Sequence, residues 1–320
     1  MNDATNDIDV YIQAATRDNT RRSYQQAVRH FEVDWQGFLP ATADSVARYL
    51  AHYAPTLSVN TLRQRLSALA QWHLDQGFPD PTKAPVVRKV LRGIQALHPA
   101  QEKQARPLQL DQLSRIIAWL DAGIDDAKAQ GDTAKWMKAH RDKALILLGF
   151  WRGFRGDELT RLRVEHVQAV AGQGLECFLP QTKGDRNNNG TTFKAPALTK
   201  LCPVEAYLAW IEAAQLIDGP VFRGVDRWAH VSVNGLHVNS LIPLMRTLFE
   251  AVGIDYADQY SGHSLRRGFA NWATSNGWNL KTLMEYVGWT DAKSAMRYID
   301  TVDPFASARI GLIEESGRLE

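Results

Sequence analysis

The sequence predicts a mainly α-helical protein in two domains, with a small β-hairpin or sheet in the second. Three observations predict it. Apolar residues recur at helical spacing along most of the chain. A stretch without that spacing, bracketed by Pro99 and Pro107, divides it. Only residues 175–198 change to short β-prone runs around a turn-rich loop. With 320 residues and 45% hydrophobic content, the chain has enough apolar side chains for one or two cores.

The first domain spans residues 1–98, and the chain from 7 to 100 reads as helical throughout. Thr20 is placed to cap a helix carrying Tyr24, Val28, Phe31 and Trp35. Thr42 or Asp44 starts the next, with Val46, Tyr49 and Leu50, ending before Pro55. A third runs from Ser58 to Gln76 with Leu62, Leu66, Leu69 and Trp72 on one side, and Gly77-Phe78-Pro79 breaks it. A fourth spans Pro85 to Leu97 with Val86, Val90, Ile94 and Leu97 as its apolar positions. Residues 99–107 read as an interdomain linker or an ordinary long loop.

Residues 108–302 form the second domain. Helices are expected at 109–122 and 133–151, then a turn at Gly153 and Gly156 with Asp157 available as a cap. Leu159 and Leu162 begin a new buried stripe, which leaves Arg155 at the junction of two helices. Glu176–Leu179 and Thr191–Ala195 read as strands of a hairpin, with Lys183 where the first strand enters the loop. Helices follow at 203–215, 234–252, 264–276, 279–287 and 291–299, with Val221-Phe222 extended between the first two. Gly253, Gly277 and Gly288 fit helix ends. Residues 303–320 form a tail carrying Ile310, Leu312 and Ile313.

Composition excludes several classes. Cys177 and Cys202 are the only cysteines, too few for a disulfide framework, and no Cys/His group has zinc-ligand spacing. The N-terminus is acidic and lacks an apolar signal core, and the longest apolar run, Ala144 to Trp151, is too short to span a bilayer. A cytoplasmic protein with no membrane association is expected. Net charge is only +2, but Arg63, Arg65, Lys83, Arg88, Lys89 and Arg92 face just Asp75 and Asp80 between residues 60 and 92. That local basic surface suits a polyanion, or a solvated helix face.

The chemistry gathers around Gly262-His263-Ser264-Leu265-Arg266. Leu265, Phe269 and Trp272 form the buried stripe of a helix, and His263 and Arg266 lie off it, near an N-terminus that favours a phosphate. Taken with Arg155, Lys183, Trp289 and Tyr298, they make a set of cationic and N–H donors around a phenol. Such a set can break a phosphodiester with tyrosine as nucleophile. The donors neutralise charge on the non-bridging oxygens without a metal, and Lys183 can protonate the leaving hydroxyl. Glu158, one turn beyond Arg155, is either an orienting partner for a basic residue or a solvated helix charge.

These motifs resemble those of the tyrosine recombinase (phage integrase) family. Arg155-Gly156-Asp157-Glu158-Leu159 resembles its first arginine box, Gln181-Thr182-Lys183 its hairpin lysine, and Ser261–Arg266 its His-x-x-Arg box. Gly288-Trp289-Thr290, with Tyr298 nine residues after the Trp, resembles the box ending in the nucleophile. Most members have a second His where this chain has Trp289, a change that keeps a hydrogen-bond donor but not proton transfer. The resemblance implies a helical core-binding domain and a catalytic domain that clamp double-stranded DNA at a specific target site. Tyr298 would form a 3′-phosphotyrosyl link, and a homotetramer on DNA would exchange strands with neither cofactor, metal nor ATP. The tail would then contact a neighbouring protomer; an ordinary terminal helix folding back on its own core is the alternative. Arg63, Arg65, Arg88, Lys89 and Arg92 are the DNA-contact candidates. The lack of a third domain ahead of residue 20 favours a simple recombinase acting on short sites, and need for accessory proteins stays open.

Three rivals share part of this pattern. A type IB topoisomerase uses similar chemistry without a partner strand. A DNA-binding protein could keep the fold without catalysis. A metal-dependent nuclease needs clustered carboxylates, and Asp125-Asp126 and Glu314-Glu315 have no His nearby.

Overall fold

The computed structural model of the chain describes residues 10–11, 15–99, 104–182, 185, 189–190 and 191–299. The chain divides between residues 103 and 104 into two compact units. Among the described residues no helix is long and apolar enough to cross a membrane.

The first unit contains α1 (Asp18–Arg29), which runs into a wider turn at His30–Asp34, then α2 (Ala43–Tyr53), α3 (Val59–Asp75) and α4 (Pro85–Leu97). Helix α1 packs on α3 and α2 packs on α4. The core between them holds Phe31, Val46, Tyr49, Leu50, Leu62, Leu69, Val87 and Ile94. Thr42 and Ser58 cap α2 and α3 by accepting the N–H groups of Ser45 and Thr61, so a short polar side chain ahead of an apolar stripe marked both starts correctly. Two details differ from expectation. Helix α1 begins at Asp18 behind Arg17, and Thr20 is inside it. On α4 the buried positions are Val87 and Ile94, while Val86 and Leu97 are 46% and 80% exposed. The 3.6-residue period is satisfied by either set, and contact with α2 selects the first.

In the second unit α5 (Leu110–Gln130) and α6 (Thr133–Trp151) form an antiparallel pair, and α6 also carries α8 (Pro203–Ala213) and α10 (Gly262–Ser275). The run from Ala144 to Trp151 is buried on every side because α6 is the hub. Helix α5 continues through Gly123 to Gly131, two turns beyond expectation, and stops where Gly131 adopts φ 70°.

Three antiparallel strands, β1 (Val167–Val170), β2 (Gly174–Leu179) and β3 (Thr191–Pro196), make one sheet, with Leu179 opposite Thr191 at the hairpin end. The sequence gives no signal for β1 beyond four residues of weak alternation; pairing with β2 makes it a strand. A second ribbon pairs β4 (Arg223–Val225) with β5 (Val231–Gly235). The expected helix at 234–252 therefore starts later, as α9 (Val238–Ala251), with the His237 ring accepting the Asn239 N–H. Helices α7 (Gly156–Thr160), α11 (Leu280–Val287) and α12 (Ala292–Met296) complete the unit. The extended chain from Gln104 to Leu108 packs here: the Arg106 and Leu108 N–H groups donate to the carbonyls of Gln259 and Ser264. A Cβ on Gly268 would overlap the Leu108 carbonyl oxygen, so glycine is what lets that strand lie on α10. The tail 303–320 lies outside the described residues.

Candidate active site

Arg155 comes from the turn between α6 and α7. Gly153 makes that turn with φ 61°, and Phe154 anchors it in the core. Arg155 occupies the N-cap position of α7, where its main-chain N–H donates to Glu158 Oε2 at 2.9 Å and its guanidinium donates to Glu158 Oε1. Glu158 thus does the capping expected of Asp157. With only 2% of its surface exposed, it is no solvated helix charge.

Helix α10 begins at Gly262, not Ser264, with Ser261 as its cap. The His263 N–H donates to Ser261 Oγ and the Ser264 N–H to the Ser261 carbonyl, so two of the free amides of this N-terminus are already used. His263 is exposed, as its position off the apolar stripe predicts. Arg266, also off the stripe, is fully buried.

Arg266 is held from three directions. Its Nη1–H donates to the Gly153 carbonyl at 2.7 Å, its Nη2–H to the Val287 carbonyl at 3.3 Å, and Nη1 lies 3.7 Å from Glu158 Oε2. Glu158 consequently sits between two guanidiniums. Burial, and next the Arg155 charge, push the Arg266 guanidinium down to about 9, with Glu158 opposing; it remains charged at neutral pH. An arriving phosphate monoanion favours the charged form further.

Gly288 ends α11 in the left-handed region (φ 74°) and turns Trp289 into the site, where it is 5% exposed. The indole lies 4.7 Å from the Arg266 guanidinium carbon and 5.2 Å from the Tyr298 ring centroid. Its buried Nε1–H has no hydrogen-bond partner among the described residues. An unsatisfied buried donor costs about 1–3 kcal/mol, and a phosphate oxygen would satisfy it.

The helix expected to carry Tyr298 ends at Met296, and Tyr298 follows in a bend, its N–H donating to the Ala295 carbonyl. Its ring lies 5.5 Å from the Arg266 guanidinium carbon, and its Oη is 3.0 Å from His263 Nδ1. With the ring proton on Nε2, Nδ1 accepts the phenol O–H.

Arg155, Glu158, His263, Arg266, Trp289 and Tyr298, drawn from four separate segments, therefore converge. Lys183, which falls between β2 and β3 in the sequence, lies outside the described residues. In the first unit Arg63 on α3 and Arg88, Lys89 and Arg92 on α4 are exposed. Arg65 is half-buried and donates to Tyr49 Oη at 2.8 Å. The motifs did not single out Arg152, the last residue before the turn, which is buried next to this group. Its only signal in the sequence is its place three residues before Arg155.

Comparison with known proteins points one way. A model described as the phage integrase family matches residues 108–303. The integrase/recombinase xerD homolog of Selenomonas ruminantium is 28% identical over 299 residues, 90% of this chain and 83% of that protein. The recombinase cre of Escherichia phage P1 is 24% identical over 294 residues, 87% and 81% respectively. The fold is similar to that of XerH site-specific recombinase bound to a palindromic difH substrate in a post-cleavage complex. That structure has a TM-score of 0.60 at 16% identity, covering 93% of this chain and 79% of that one.

Proposed function

This chain belongs to the phage integrase family, and from that premise we propose that it is a tyrosine-type site-specific DNA recombinase with Tyr298 as its nucleophile. The observation that carries the reading is the contact of Tyr298 Oη with His263 Nδ1, beside two guanidiniums that share Glu158. In the first step the Tyr298 oxygen attacks the scissile phosphorus as its proton passes to His263. The bond from phosphorus to the 5′-oxygen breaks, and Lys183 gives that oxygen a proton. The product is a 3′-phosphotyrosyl link and a free 5′-hydroxyl.

Arg155, Arg266 and the Trp289 N–H take the non-bridging oxygens, whose charge grows as the fifth bond to phosphorus forms. Glu158 is the orienting residue, because a guanidinium fixed on a buried carboxylate is already aimed when the phosphate arrives. Attack by the 5′-hydroxyl of a partner strand on the phosphotyrosyl link reverses the chemistry and conserves bond energy. Strand exchange between two duplexes calls for four active sites, hence a homotetramer on DNA. Arg63, Arg65, Arg88, Lys89 and Arg92 of the first unit are the proposed contacts to double-stranded DNA, Arg65 with only those donors that Tyr49 leaves open. Phosphate contacts of this kind supply affinity that falls with salt.

The test is an SDS-resistant protein–DNA adduct on DNA flanking the coding sequence, with Tyr298→Phe alongside. The wild type should form an adduct and the variant none, while both bind DNA equally. Adduct formation by Tyr298→Phe removes this residue as nucleophile. Relaxation of supercoiled DNA lacking any target site would favour a topoisomerase.

A further inference from the structure

Arg152 closes α6 and is 4% exposed. Its guanidinium carbon lies 4.4 Å from the ring centroids of both Phe193 on β3 and Tyr286 on α11, and 5.8 Å from that of Phe154. Among the described residues its Nε and Nη1 have no hydrogen-bond partner and no carboxylate forms a salt bridge with it. Burial pushes it down to about 10, with Tyr286, Cys177 and Glu158 opposing. A buried, charged guanidinium that no described carboxylate pairs with is expensive, and two aromatic faces compensate only in part.

Its surroundings give it a role. The next residue, Gly153, offers the carbonyl on which Arg266 rests. Tyr286, stacked on Arg152, donates its phenol O–H to the Trp151 carbonyl at 2.9 Å, fixing α11 against the end of α6. Gly288, the residue before Trp289, lies against Phe193 too, since a Cβ there would come 3.2 Å from that ring. The Val287 carbonyl, Arg266's second anchor, belongs to this corner as well. Charge adds a second argument. Arg155 and Arg266 share Glu158, so those three side chains carry one net positive charge. As the Tyr298 proton passes to His263, attack on a phosphodiester monoanion builds two negative charges at the phosphorane. Arg152 brings these side chains together to two positive charges, and its field reaches Arg266.

We propose that Arg152 is a positioning residue for the cleavage step: clamped between Phe193 and Tyr286, it fixes the Gly153 and Val287 carbonyls that aim Arg266 and supplies the positive charge that Glu158 cancels. The inference rests on the function proposed above. It assigns the reason a buried cation with no carboxylate partner among the described residues is kept where a hydrophobic side chain would fit.

Arg152→Met and Arg152→Lys test it. Methionine suits a slot between two aromatic rings, and exchanging a buried ion for an apolar side chain is commonly neutral or stabilising. Arg152→Met should therefore melt at or above the wild-type temperature and bind target DNA normally, yet form the phosphotyrosyl adduct about tenfold or more slowly. Arg152→Lys, which keeps the charge, should recover most of that rate. The inference is overturned by wild-type cleavage in Arg152→Met, by equal loss in both variants, or by a loss that accompanies a lower melting temperature and weakened DNA binding. An active wild type beside any of these leaves the recombinase reading standing. A wild type that forms no adduct overturns both.

Discussion

Replacing Glu158 by Gln removes one charge from between two guanidiniums while keeping the side chain's size. The carboxylate is 2% exposed, accepts the Arg155 main-chain N–H at 2.9 Å, receives the Arg155 guanidinium, and lies 3.7 Å from Arg266 Nη1. Glutamine can still accept the main-chain N–H, but its amide then turns a donor toward a donor. Removing one partner of a buried ion pair costs about 3–5 kcal/mol, chiefly by leaving the other charge uncompensated. Arg155 keeps 20% of its side chain in contact with solvent, so the lower end, about 3 kcal/mol, applies.

In a unit of this size about 1 kcal/mol moves the melting temperature by roughly 2–4 °C, so the drop should be about 6–12 °C. A bound anion restores the missing negative charge. Thermal unfolding followed by circular dichroism should therefore show a smaller deficit in phosphate than in chloride at equal ionic strength. A drop below about 2 °C would mean that Glu158 does not balance the buried guanidiniums. A deficit of equal size in the two salts would mean that the two arginines do not form an anion site.

Two further outcomes follow from the same geometry. Trp289→Phe, which removes an Nε1–H that has no partner among the described residues, should slow adduct formation by about a hundredfold, whereas Trp289→His keeps a donor and should retain substantial activity; equal activity of Phe and wild type would assign the indole to packing alone. Removing Arg88 and Arg92 together, both exposed on α4, should weaken DNA binding and reduce the slope of log affinity against log salt by about 2. An unchanged slope would take α4 off the DNA.

The sequence by itself determined whatever is written in neighbouring residues. Thr42 and Ser58 announce helix starts because a cap acts over three residues, and Gly288 marks a stop because a left-handed φ is a local demand. The phage integrase resemblance, too, was legible from four short boxes. Only the tertiary structure decided which charges are buried. Arg266 is off its helix's apolar stripe, and periodicity places it near solvent; the Gly153 carbonyl, 113 residues earlier in the chain, draws it inside. Arg152 gave no sign of being more than a surface arginine until Phe193 and Tyr286 closed over it. Likewise Trp289 and Tyr298, nine residues apart, became a contacting pair because α12 ends early and the chain bends. Desolvation and Coulomb terms depend on everything within a few ångströms, and those neighbours come from segments distant in the chain, so pattern alone names the charged residues of a site without saying which of them the fold encloses.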